Sequence, residues 1–91
     1  MKTRLYVANL SYEATERDVR EMFEEFGKVK AHTPQQPNPV IIVDRETGKS
    51  RGFGFVEMET PKDAEAALAV EGELLLGRRV TVKYAQERQR A

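Results

Sequence analysis

The sequence predicts an α+β fold in which two helices cover one face of a four-stranded antiparallel sheet. Three observations predict it. Four short stretches are β-branched or alternate apolar with other residues, two others carry helical spacing behind N-terminal caps, and together they run in the order βαββαβ.

Arg4 to Asn9 puts Leu5 and Val7 on one side of an extended segment and Tyr6 and Ala8 on the other, the period of a half-buried strand. Thr15 followed by Asp18 resembles a capping box. Val19, Met22, Phe23 and Phe26 then recur at i, i+3, i+4 and i+7 until Gly27, which reads as the stop of an amphipathic helix. Val40 to Val43 is β-branched throughout and leads into a turn from Asp44 to Gly48. In the next strand, from Arg51, the residues Phe53, Phe55 and Glu57 share one face and Gly54, Val56 and Met58 the other. Thr60-Pro61-Lys62-Asp63 supplies an N-cap, a proline at the first helical position and an acid at the third, with Ala64, Ala67 and Leu68 facing inward. Gly72 and Gly77 punctuate the following turn, and Val80-Thr81-Val82 resumes alternation as a fourth strand. Tyr84 shares parity with Val80 and Val82, so packing is expected of it. This is the pattern of a ferredoxin-like βαββαβ sandwich, whose second sheet face stays open to solvent.

The chain has 91 residues, enough for one domain with one core; the core is expected over residues 4–85, with a polar tail at 86–91. Cysteine is absent, so stability must come from packing. No apolar run is long enough for a signal peptide or membrane span, and a cytoplasmic protein, or a nuclear one in a eukaryote, is expected. Formal net charge is zero, yet Glu13–Lys28 and Glu59–Glu73 hold 11 of the 15 acidic residues and 4 of the 15 basic ones. The helices are therefore acidic, and the sheet and tails are basic enough to attract phosphate.

Tyr6, Phe53 and Phe55 fall on the open face of two strands, where rings are costly to leave in water without purpose. Flat rings on adjacent strands can stack on unpaired bases while Arg and Lys beside them meet phosphates. Gly52 and Gly54 take the opposite parity, which suggests that they let the helices pack closely beneath the sheet.

Arg51 to Met58, R-G-F-G-F-V-E-M, resembles the octamer motif of the RNA-recognition-motif domains, and Leu5 to Leu10, L-Y-V-A-N-L, resembles that family's companion hexamer. The similarity runs from about Arg4 to Ala85, and short single-domain bacterial members look closest. The resemblance implies strand order 4-1-3-2, Tyr6 and Phe53 as base-stacking rings, Phe55 as the ring that packs on sugars, and Arg51 as a backbone contact. It also points Arg4, Ile42 and Lys83 toward RNA. Lys49 is a further candidate for phosphate or base contact. Met58 replaces the family's usual aromatic residue, but at an inward position. The proline-rich stretch Thr33–Pro39 is longer than the family's usual connection, which leaves open an added contact surface, a plain surface loop or an engineered insertion.

Other motifs carry less. Gly48-Lys49-Ser50 mimics the end of a phosphate-binding loop, but Val43 stands in place of its first glycine and a strand follows. Gly52-Phe53-Gly54 lacks the third glycine of a dinucleotide fingerprint. Asn9-Leu10-Ser11 fits a glycosylation sequon, but secretory routing is not expected and the match reads as incidental. His32 has no histidine or cysteine partner for a metal site, and the carboxylates read as helix-surface residues paired at i+4, for example Glu16 with Arg20. No catalytic constellation, metal site or cofactor is therefore expected.

The expected function is binding of a few unpaired RNA nucleotides by a monomer acting as an RNA chaperone or post-transcriptional regulator. Single-stranded DNA would offer the same rings a partner. The rival reading is a protein-interaction module using the same face.

Overall fold

The computed structural model describes residues 3–31, 33 and 38–85. Its strands are β1 (Arg4–Ala8), β2 (Val40–Val43), β3 (Ser50–Glu57), β4 (Leu74–Leu75), β5 (Arg78–Arg79) and β6 (Thr81–Tyr84); its helices are α1 (Glu16–Glu24) and α2 (Pro61–Ala67). The main sheet has the order β2-β3-β1-β6. With β6 as the fourth strand of the sequence reading, this is the expected 4-1-3-2, and every neighbouring pair is antiparallel.

Local chemistry sets the helix starts. The Thr15 hydroxyl accepts from the Asp18 N–H at 3.1 Å while the Asp18 carboxylate accepts from the Thr15 N–H at 3.0 Å, so two otherwise orphaned donors are satisfied. Thr60 caps α2 through the Asp63 N–H, and Pro61 opens that helix where no N–H is needed. Val19 and Phe23 of α1 and Ala64 and Ala67 of α2 are buried with Leu5 and Val7 of β1, Val56 of β3 and Met58 just past it. Met58 is fully buried, as its parity requires. Tyr84 packs partly buried against this core.

The glycines work differently from the sequence expectation. A Cβ on Gly54 would lie 2.2 Å from the Val40 carbonyl oxygen, and one on Gly52, whose φ is +86°, would approach the Tyr12 ring and the Leu10 carbonyl. They make room for β2 and for the loop after β1, not for the helices, which meet the side chains of Val56 and Met58 instead. Gly27, expected as a helix stop, has no left-handed φ; a Cβ there would lie 2.8 Å from the Asp63 carbonyl oxygen at the start of α2, so its absence permits the close approach of the two segments. The i+4 pair formed on α1 is Arg17 with Glu21 at 3.2 Å, because Arg20 turns instead to the Asn38 carbonyl oxygen at 2.7 Å.

The turn expected around Gly72 and Gly77 contains a hairpin that the sequence reading missed. Leu74 pairs with Arg79 and Leu75 with Arg78, and both residues of the two-residue loop, Leu76 and Gly77, have positive φ, the combination a type I′ turn demands. The strands are too short to show alternation. His32, residues 34–37 and the tail at 86–91 lie outside the described residues.

Gly54→Ala should separate β2 from β3, since the atom it meets is backbone and cannot swing aside. The expected cost is at the upper end of the roughly 1–3 kcal/mol typical of overpacking, measurable as a lowered urea midpoint.

Candidate nucleic-acid interface

Pairing of β1 with β3 places Leu5 opposite Val56 and Tyr6 opposite Phe55. Leu5 and Val56 are fully buried, so alternation turns Tyr6, Phe53 and Phe55 out together as half-buried rings. The Tyr6 centroid lies 5.9 Å from that of Phe53 and 5.7 Å from that of Phe55, with tilts of 43° and 56°. The half-buried rings form a continuous aromatic surface, which can accept the flat face of an unpaired base.

Cations border this surface. The Arg4 guanidinium sits 4.6 Å from the Phe55 centroid, and that of Arg51 sits 6.0 Å from the Phe53 centroid. Lys83 is exposed on β6 directly opposite Tyr6. Arg4, Arg51 and Lys83 thus surround the rings, each able to reach a phosphate. Lys49 is exposed just before β3, with its backbone engaged in the turn from Asp44, so it extends the basic edge beyond Arg51 and does not join the ring cluster. Ile42 is half-buried, but a register shift between Ile41 and Val43 takes it out of direct pairing; the residue opposite Phe55 on β2 is Val40. Arg78 and Arg79 have other work, donating to the Asn9 side-chain oxygen at 2.5 Å and the Gly72 carbonyl at 3.0 Å.

Sequence reasoning missed Asn38. Its side chain is buried and fully engaged: Nδ2 donates to the carbonyls of Lys30 at 2.6 Å and Glu57 at 2.8 Å, and Oδ1 accepts from the Glu57 N–H at 2.9 Å. N-terminal to Val40 the main chain does not pair with β3, and this amide takes its place on the last residue of β3. The signal, one asparagine between two prolines, was too slight to single out.

No helix among the described residues is long and apolar enough to cross a membrane, and no group of three or more of their His, Asp or Glu side chains is placed to hold a metal ion.

An α+β sandwich whose open sheet face carries clustered rings and bordering cations defines a class of nucleic-acid-binding domains. The family described as "RNA recognition motif" matches residues 5–81, and the chain belongs to that family. It is 44% identical over 86 residues to the putative RNA-binding protein RbpB of Nostoc sp., covering 93% of this chain and 77% of that protein. It is 41% identical to the mitochondrial glycine-rich RNA-binding protein 5 of Arabidopsis thaliana, covering 94% of this chain but only 27% of that longer protein. Among solved structures, the RNA-binding protein PG1 superposes with a TM-score of 0.80 at 39% identity, covering 97% of this chain and 99% of that one.

Asn38→Ala should strip the Lys30 carbonyl and the Glu57 N–H of their partner. Water can replace the partner of the carbonyl of exposed Lys30, so the cost falls mainly on the part-buried Glu57 N–H; at about 1 kcal/mol, the lower end for an unsatisfied group, thermal unfolding should shift down by roughly 4–8 °C.

Proposed function

We propose that the chain binds single-stranded RNA, with bases and sugars stacking on Tyr6, Phe53 and Phe55 while Arg4, Arg51, Lys83 and Lys49 meet phosphates and Ile42 and Val40 border the path. The observation that carries this reading is the half-buried three-ring surface, edged by guanidinium groups at 4.6 and 6.0 Å from ring centroids. Relatives named as RNA-binding proteins, at 41 to 44% identity over nearly the whole chain, support it. Stacking recognises any base, because every base has a π-face, so the binding is sequence-tolerant in the main. Such a domain acts as a monomer that holds RNA unpaired, the work of an RNA chaperone or post-transcriptional regulator.

The test is binding to a randomised single-stranded RNA pool at two salt concentrations, with each variant first shown by thermal unfolding to be folded. Tyr6→Ala/Phe53→Ala should lose about 30-fold or more, the loss of two stacks worth roughly 1–3 kcal/mol each. Phe55→Ala, measured beside it, apportions base and sugar contacts among the rings. With four phosphates neutralised, the logarithm of affinity should fall against the logarithm of salt with a slope of about −3. RNA binding unaffected by the double variant would overturn stacking. Absent RNA binding, with a protein bound on the same face at an affinity indifferent to salt, would overturn the RNA reading altogether.

A further inference from the structure

At the β2 side of the ring surface lies an open recess of about 250 Å³ lined by Arg4, Lys30, Asn38, Val40, Phe55 and Glu57. This volume is a little below the range of pockets that take drug-sized ligands, about 300–1,000 Å³, and suits a single nucleobase. Its parts are held in place. Phe55 forms an aromatic wall with the Arg4 guanidinium over it, and the Asn38 amide fastens the backbone of Lys30 to that of Glu57 across the recess. The polar atoms of that amide are already spent on backbone, so it acts as a frame and leaves recognition to the other side chains.

Glu57 is the anomaly. It is an acid on a face otherwise bordered by arginine and lysine, where its charge opposes phosphate. Although Arg4 and Lys30 line the same recess, Glu57 makes no ion pair among the described residues; the Thr3 hydroxyl donates to one of its oxygens. A carboxylate accepts up to four hydrogen bonds, so capacity remains on both oxygens.

Resting on the RNA reading above, we propose that this recess is a guanine-selective subsite in which Glu57 determines specificity. Guanine presents an acceptor, O6, beside two adjacent donors, N1–H and the 2-amino group. The recess presents the complement: a cationic donor from Lys30 beside a carboxylate that can accept two N–H bonds in parallel. Uracil offers one donor flanked by two acceptors, and cytosine and adenine each offer one amino group beside a ring acceptor that would face the carboxylate. Phe55 supplies the stacking wall. Glu57 thus adds selectivity at one nucleotide to an otherwise tolerant surface.

The experiment uses the full chain and short oligouridylates in which one position at a time is replaced by G, A or C, bound to the wild type, to Glu57→Gln and to Tyr6→Ala/Phe53→Ala. For the wild type, G at a single position should improve affinity over U within the roughly 5- to 150-fold range that a good bidentate base contact gives. Glu57→Gln should lose most of that preference yet bind the all-uridine oligomer more tightly, because a negative charge has left the phosphate path. A wild type that binds all the oligomers alike, or a Glu57→Gln variant that keeps the guanine preference, overturns the subsite while the RNA reading stands on the loss seen in the ring variant. A wild type that binds none of them overturns both.

Discussion

The register of β1 against β3 is the constraint on which the rest of the molecule depends. With Leu5 opposite Val56 and Tyr6 opposite Phe55, one parity of both strands is fully buried and the other is not. A slip of β1 by one residue against β3 would invert its faces, sending Tyr6 toward the core and leaving Leu5 and Val7 wet. Burying an aliphatic side chain is worth about 1.5–3 kcal/mol, so Leu5 and Val7 together strongly favour the observed pairing. The energy that builds the core therefore also turns the rings outward. Because β1 and β3 are the central strands, the rings they present are contiguous.

The ends of the sheet use a second device, the asparagine amide in place of a strand. At the β2 side, Asn38 satisfies the N–H and C=O of Glu57 where β2 has ceased to pair. Just past β1, Asn9, with φ of +60°, donates to the Arg79 carbonyl and accepts from the Arg78 side chain, fixing the β4–β5 hairpin beside the start of β6. An amide carries donor and acceptor in one plane, as a peptide group does, so it can stand in for one where the chain must turn away. Both sites border the ring surface, and both leave its shape set by hydrogen bonds that alternation along a strand does not encode.

This division explains what was legible in the sequence. Signals that repeat or act within a few residues were readable: the alternation in β1 and β3, the Thr15 and Thr60 caps, the i, i+3, i+4 spacing of α1, and hence the fold and the three rings. Contacts between distant segments were not. Gly54 has the same local pattern whether its missing Cβ faces a helix or β2, and only the Val40 carbonyl at 2.2 Å decides. Arg20 could pair with Glu16 by spacing, but Asn38, eighteen residues on, competes for it. The register shift beside Ile42 leaves no mark in four consecutive β-branched residues, and β4 and β5 have two residues each, too few for a period.

The neutral total charge is compatible with a phosphate-binding face because of distance and screening. The molecule measures 35 × 35 × 25 Å, so even its shortest dimension is about three Debye lengths at physiological ionic strength. A phosphate at the rings responds to Arg4, Arg51 and Lys83 within a few ångströms, while carboxylates on the outward sides of α1 and α2 are largely screened from it. Acidity on the helices then repels polyanions from the wrong side and orients approach toward the sheet. Glu57 escapes this separation, since it stands on the ring side among the cations. Screening cannot remove its effect on a phosphate there, so a carboxylate at that position weakens backbone attraction whatever else it does. A polar but uncharged residue would meet the Thr3 hydroxyl as well, so that contact alone does not call for a charge at this position.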